Sequence, residues 1–316
     1  MKIYQIAVYM LIASIVVNGC LYSNSTTPDL KIKFQQTYEN DVIDFVVPRG
    51  MGGIVCSMNK DELVVLTFDG TEIMRESYSS EIIAIDSSSQ VSDKLSVALS
   101  NNEVITYVIE DEISVKYDQT FDHQIKTIAS LGRHSDEDME LVLLETGELY
   151  GYGLNYNRLL SENADEETAI DTPVLVAENI TDLFQYCYIT EDGRCFDIRM
   201  GEMSNSLPSG VTELQSYHCY PLLCTENTAY CIYSPFSEWK EEADYDPGYV
   251  SAYEAGIMYR LDNIWYYSGT LSAPRRGKGV PESKDAKIDL PEGYDYLILY
   301  EGLVGYDEHT IILYSV

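Results

Sequence analysis

Residues 143–160, from Leu143 to Leu160, read LLETGELYGYGLNYNRLL and hold two short apolar runs around a Thr146–Gly147 turn. Strand, tight turn, strand is the direct reading, because Gly tolerates the positive φ of such turns and the flanking residues are apolar or aromatic. The pattern returns as LVVLTFDGTEI from Leu63, LSVALSNNEVITYVI from Leu95, YCYITEDGRCFDI from Tyr186, PLLCTENTAYCIY from Pro221, GIMYRLDNIWYY from Gly256 and GLVGYDEHTIILY from Gly302. Aligned on the second turn residue (Gly70, Glu103, Gly147, Gly193, Thr228, Asn263, His309), successive hairpins lie 33 to 46 residues apart. Strand-rich repeats of about 40 residues have the period of propeller blades.

A further apolar run precedes each hairpin: VIDFVV from Val42, IIAI from Ile82, IKTI from Ile125, ITDLF from Ile180, VTEL from Val211, VSAY from Val250 and YDYLIL from Tyr294. Their β-branched and aromatic content marks strands, and each is expected to be the innermost strand of a blade. The seventh unit ends at TIILYSV without room for a fourth strand, while LKIKF from Leu30 is a spare strand at the other end. Pairing the two would remove an exposed sheet edge. The sequence thus predicts an all-β chain folded as a seven-bladed β-propeller over residues 30–316, closed by its terminal strands, with Leu30, Ile32 and Phe34 completing the last blade.

The run Gly147-Glu148-Leu149-Tyr150-Gly151-Tyr152-Gly153-Leu154-Asn155, followed by TPVLVAENITDLF from Thr172, resembles one unit of the regulator of chromosome condensation repeat family. Asn157, Arg158 and Leu160 depart from the Gly, Gln and Gly of that pattern, and the other units keep the hairpin without the glycines. The resemblance implies a propeller. It also implies a choice of roles, since the nuclear member binds chromatin and drives nucleotide exchange on a small GTPase, whereas secreted members include a β-lactamase inhibitory protein. No exchange-factor residue transfers by motif.

Charge decides against the nuclear role. The formal net charge is −32, from 52 acidic and 20 basic residues, and a chain that neutralises phosphates needs the opposite balance. Nucleic acid is therefore excluded as a partner. The acidic runs SDEDME from Ser135, SENADEETAID from Ser161 and EEADYDPGY from Glu241 are expected in loops; none has the ligand order of a calcium loop. Residues 272–281 form the locally basic stretch, with Arg275, Arg276 and Lys278, and their Pro and Gly content reads as a loop.

The N-terminus points outside the cell. Lys2 precedes an apolar stretch from Ile6 to Val17, and Val17 with Gly19 supplies the small residues of a signal-peptidase site, so residues 1–19 read as a signal peptide. Val17-Asn18-Gly19-Cys20 also resembles a bacterial lipoprotein site, which would make Cys20 a lipid anchor and residues 20–29 a polar tether. Plain secretion remains the other reading, in which Asn24 and Asn179 head glycosylation sequons. A membrane is implied only through a lipid on Cys20.

Six further cysteines suit an oxidising compartment. With Asn227 and Thr228 as turn residues, Cys224 faces Cys231 across a hairpin, a disulfide expectation to set against buried free thiols. The same construction puts Cys187 and Cys195 on different faces. No spacing gives a metal site, and no HExxH, GxSxG or P-loop is present, so the chain reads as non-catalytic and without a cofactor.

Tyrosine is the suggestive residue, at 27 against 7 Phe and 2 Trp. Tyr joins a large contact area to a polar tip and is enriched at interfaces, although strand positions at blade rims could equally absorb it. The candidates in long inter-blade stretches are Tyr152, Tyr156, Arg158, Tyr245, Asp246, Tyr249 and Trp265, a composition like that of interface hot spots. The expectation is a secreted or lipid-anchored propeller that binds a protein partner through a Tyr-rich acidic face. A carbohydrate-binding or carbohydrate-active propeller is the alternative.

Overall fold

The structure is a computed structural model that describes residues 30–47, 53–87, 94–109, 113–132, 138–155, 158–161, 163–165, 168–217, 220–253, 256–269, 283–299 and 302–315. Its 28 strands form seven four-stranded antiparallel sheets, the blades of a β-propeller. The inner strands are β2 (Val42–Val46), β6 (Ile82–Asp86), β10 (Ile125–Gly132), β14 (Ile180–Phe184), β18 (Glu213–Tyr217), β22 (Val250–Tyr253) and β26 (Asp295–Leu299). Six of them coincide with the β-branched runs that precede the hairpins; β18 begins two residues into VTEL and shares only Glu213 and Leu214 with it. In blades 1 to 6 the chain then steps outward through a second, a third and an outer strand.

Burial follows that position. In blade 1 the third strand, β4 (Glu62–Thr67), is buried from Leu63 to Leu66 because neighbouring blades cover both its faces. The outer β5 (Glu72–Ser77) alternates exposed and half-buried residues. Unbroken Val/Leu runs in the sequence are therefore middle strands, and alternating polar runs are outer ones. The buried apolar residues form seven clusters, each lying at a junction between blades. A single blade buries little by itself, so stability resides in the contacts between neighbours.

Blade 7 contributes β26, β27 (Gly302–Tyr306) and β28 (Thr310–Ser315), and its outer strand comes from the other end of the chain. That strand, β1 (Lys31–Thr37), runs antiparallel to β28, with Lys31 opposite Ser315 and Thr37 opposite Thr310. Phe34 is its core residue at 3 % exposure, belongs to the cluster that holds Val304, Leu313, Phe45 and Ile54, and has its ring 6.2 Å from that of Phe68. Ile32 is 58 % exposed and Leu30 packs at the margin of the blade 6–7 cluster, so of the three expected residues Phe34 carries the burial.

The inner strands surround a channel of ≈ 460 Å³. At five junctions an acceptor on one inner strand takes a backbone N–H from the next. Asp44 accepts from Ile85, Asp86 from Ser130 at 2.7 Å, Asp182 from Leu214 at 3.2 Å, Gln215 from Ala252 at 2.8 Å and Ser251 from Ile298 at 3.0 Å. These short polar side chains satisfy inner-strand donors that would otherwise face the channel unpaired. Burial pushes the Asp44 carboxyl up to about 6 and that of Asp86 to about 7, with the accepted N–H groups opposing the shift and Asp44 adding to that of Asp86.

Three expectations are corrected. In blades 2 to 7 the hairpins read from the sequence join second and third strands, but Asp69–Gly70 joins β4 to the outer β5. The second-to-third turn of blade 1 is at Asn59–Asp61, where Asn59 and Lys60 adopt φ of 48° and 68°. Asp-Gly is the stronger hairpin signal, whereas this turn reaches positive φ without a glycine. The acidic runs are also partly strand: Glu140 is buried in β11 (Asp138–Leu144), and Glu241–Asp244 belongs to β21 (Lys240–Asp244).

The third correction concerns sulphur. In blade 5 the turn residues are Glu226 and Asn227, since Thr225 N–H donates to Thr228 O at 3.0 Å. This one-residue shift sets Cys224 opposite Ala229 and Cys231 opposite Leu222. The two cysteines become diagonal neighbours on one face, at positions about 7–8 Å apart, beyond disulfide reach without backbone movement. Both are buried free thiols. A similar shift in blade 4, where Thr190 N–H donates to Arg194 O at 3.0 Å and Glu191 joins Asp192 and Gly193 in the turn, pairs Cys187 with Asp197 and Cys195 with Ile189 and brings those cysteines onto a common face.

Phe34→Ala should cost about 3–4 kcal/mol, the usual range for emptying a buried aromatic site, and lower the thermal midpoint cooperatively; Ile32→Ala, on the exposed side of the same strand, should change it little. The channel carboxylates give a pH dependence of definite sign. Their folded pKa values lie above the unfolded one, so the stability they contribute is complete at low pH and is lost as pH rises through about 6 and 7. Asp86→Asn keeps an acceptor without the charge and should raise the melting temperature at pH about 8, with the gain over the parent protein vanishing towards pH about 4. Melting curves across that range check the sign.

Candidate functional site

Each blade is an antiparallel meander, so the second-to-third turns and the links from an outer strand to the next inner strand share one face of the ring. On this turn face the links are fastened to the turns. The first residue beyond an outer strand donates its N–H to the turn of its own blade: Tyr38 to His309 O, Tyr78 to Asp61 O, Phe121 to Asn102 O and Tyr245 to Asn227 O, at 2.8 to 2.9 Å. These recurrent aromatics stand four or five residues ahead of the next inner strand, a repeat that alignment on the hairpins overlooks. Phe121 and Tyr245 are buried and Tyr38 and Tyr78 half-buried: Tyr245 OH donates to Thr225 O at 2.6 Å, Tyr78 and Tyr107 hydroxyls share a 2.8 Å hydrogen bond, and Phe121 meets Tyr150 edge-on. Much of the tyrosine content is therefore structural.

The expected hot-spot residues divide accordingly. Tyr245 is 3 % exposed and Tyr152 is fully buried, its ring edge against Tyr117 at a centroid distance of 5.3 Å. Arg158 is exposed in the loop between the third and outer strands of blade 3, which lies on the opposite face. Tyr156, Cys20, Asn24, residues 1–19 and the basic stretch with Arg275, Arg276 and Lys278 lie outside the described residues. Asn179 is exposed at φ 61° in the link to β14.

The sequence signature around Tyr152 builds a loop. A Cβ on Gly151 would stand 2.7 Å from Leu160 Cδ2, so glycine there lets Leu160 fold back across the strand. Asn155, fully buried, accepts the N–H groups of Leu160 and Ser161 at 2.9 Å and donates to Ser161 O at 2.7 Å. The aromatic-Gly-x-Asn step thus closes the loop on itself, which is why its tyrosine is a core residue.

Asp246, Tyr249 and Trp265 do converge, on blade 6 at the turn face. They are joined by Arg260, which the sequence reading passed over and which pairs with Trp265 across the hairpin of β23 (Gly256–Leu261) and β24 (Ile264–Gly269). Arg260 Nε is 3.1 Å from Asp246 Oδ2, and its guanidinium lies 3.1 Å from the Tyr249 ring centroid. Trp265 presents edge-type contacts to Tyr249 at 6.0 Å and to Tyr296 at 5.6 Å. Asp246 also accepts the N–H groups of Asn263 and Asp262, each at 3.2 Å; these bonds, with Arg260, hold its carboxyl below the ordinary range.

Beside this group a cleft of ≈ 810 Å³ opens between blades 6 and 7. Tyr249 and Arg260 line it from blade 6; Tyr294, Asp295, the segment from Tyr306 to Thr310, and Thr37 line it from blade 7. Asp295 stands opposite Tyr306 across the β26–β27 ladder, and burial followed by the nearby carboxylate raises the Tyr306 hydroxyl pKa. Asp307 is occupied in its own turn, accepting from His309 N at 2.8 Å and Thr310 N at 2.7 Å. His309 Nδ1 lies 3.5 Å from Asp41. Among the described residues, no Lys or Arg pairs with the side chains of Asp295 or Glu308.

No family model matches the sequence. No curated protein matches it either. Among solved structures the chain is similar to the β-propeller domain of Cps50 (Swd1) from Myceliophteria thermophila, with a TM-score of 0.60 and 11 % identity over 91 % of this chain and 99 % of that one. Likeness at that identity concerns the fold alone, and the class it supports is the β-propeller.

Tyr245→Ala and Tyr249→Ala should separate core from surface. The first empties a buried site and removes the bond to Thr225, and should cost about 3–5 kcal/mol; the second loses mainly the stacking with Arg260 and should cost about 1 kcal/mol. Chemical denaturation of the two variants measures the difference.

Proposed function

We propose that this protein is a non-catalytic binding module that holds a protein partner on its turn face, with the blade 6–7 cleft at the centre of the contact. The observation that carries this reading is the grouping of Tyr249, Tyr294 and Tyr306, all half-buried, with carboxylates around one concavity. Large aromatic side chains with polar tips, placed in a concave site, are the residues that anchor protein contacts. The propeller scaffold suits this role, since its turns can vary while the blades hold them in place.

The reading extends to export. The apolar stretch from Ile6 to Val17 and the Gly19–Cys20 step support secretion or attachment at the outer face of a membrane. The likeness of residues 147–155 to the chromosome condensation repeat supports a kinship with secreted propellers of that type, and the net charge of −32 supports a partner other than nucleic acid.

Covalent cross-linking on intact cells, followed by affinity capture and mass identification, tests the proposal. One dominant protein is expected, cross-linked near the cleft, and its recovery should fall roughly tenfold with Tyr294→Ala, a change equivalent to about 1.4 kcal/mol. Recovery with glycans alone, or a capture unchanged by the substitution, overturns it.

A further inference from the structure

The cleft has a chemistry more specific than a general contact surface. Two carboxylates, Asp295 and Glu308, are exposed at its edge and meet no Lys or Arg among the described residues. The cleft's own arginine is already committed, with Arg260 paired to Asp246 and its guanidinium over the Tyr249 ring. That pairing is informative in itself. It shows an acid and a Tyr ring at this place accommodating a planar cation at 3.1 Å from each, the carboxylate edge-on and the ring face-on. Across the cleft, Tyr294 and Tyr306 beside Asp295 offer the same combination with no cation supplied by the described chain.

We propose that the cleft takes a basic side chain, Arg or Lys, from an extended segment of the partner, seated against Tyr294 and Tyr306 and paired with Asp295 and Glu308. This rests on the protein-binding reading and names the partner's chemistry. Charge complementarity favours this occupant over a neutral glycan: the chain's net charge of −32 draws a cationic segment to the surface, and the two carboxylates fix where it docks. The volume of ≈ 810 Å³ admits a side chain together with the backbone that carries it.

The test uses the folded protein and a fluorescein-labelled nonapeptide of alternating Arg and Ser, with a Glu/Ser peptide as control, read by fluorescence anisotropy. A field as negative as this binds any polycation to some degree, so the decisive comparison is between two double variants of equal charge change. Asp295→Asn with Glu308→Gln removes the cleft pair; Asp171→Asn with Glu241→Gln removes two exposed acids from outer strands. The cleft variant should weaken the Arg peptide roughly tenfold at about 50 mM salt, with the outer-strand variant within about twofold of the parent. All four positions are exposed, so folding should survive, and melting curves verify it. Equal weakening by both variants, absence of peptide binding, or preference for a neutral oligosaccharide overturns the inference. The broader reading is judged separately by capture from cells: a partner cross-linked at the cleft that binds without a basic segment leaves that reading standing and sinks this one.

Discussion

The ladder between β1 and β28 is the constraint on which the ring depends. Blade 7 takes three strands from one end of the chain and β1 from the other, and without β1 the outer edge of β28 would lie open with a row of unpaired N–H and C=O groups. Closure also places Phe34 in the cluster between blades 7 and 1, so the same strand supplies the hydrogen bonds and part of the apolar contact at the junction where the ring begins and ends. The other six junctions join blades that are neighbours in sequence. This one joins residues near opposite ends of the chain, making it the contact of highest loop-closure cost and the last to be rewarded during folding.

The interior shows how the ring tolerates polarity. Inner strands point some residues at a channel, and there the sequence places Asp, Gln or Ser that reach sideways to the next blade's backbone. The carboxylates among them are costly to ionise at that depth, and the N–H groups they accept compensate only in part. The blade 3–4 junction departs from this scheme: Ser130 turns instead to Glu140 in its own blade, at 2.7 Å. Adhesion around the ring is therefore uneven, dominated by apolar clusters and trimmed by local polar links.

The fold was legible because its signal is periodic and physical. Six of the seven inner strands stand out as short β-branched runs, and turn residues such as Gly193 and Asp262–Asn263 carry the positive φ that hairpins need. Register was the weak point. Whether Asn227 is the first or second residue of a turn cannot be read from composition, yet it decides which residue faces Cys224. The site was legible in part: Asp246, Tyr249 and Trp265 meet, while Tyr152 and Tyr245 vanish into the core because a tyrosine that wedges two blades looks, in sequence, like one that greets a partner. Arg260 could have been found from its position flanking the Asp262–Asn263 turn, opposite Trp265. Tyr306 and Glu308 could not, because the cleft exists only once blade 7 is set beside blade 6.

The direction of β1 has a consequence for how the molecule is presented. Thr37 lies beside Thr310, next to the His309 turn and hence at the cleft's side of the ring, whereas Lys31 lies beside Ser315, at the far end of the same strand. Leu30 and Lys31 therefore lie on the side away from the cleft. Anything that grips the molecule at that end of β1 holds it from behind, with the aromatic and acidic concavity directed outward to whatever approaches.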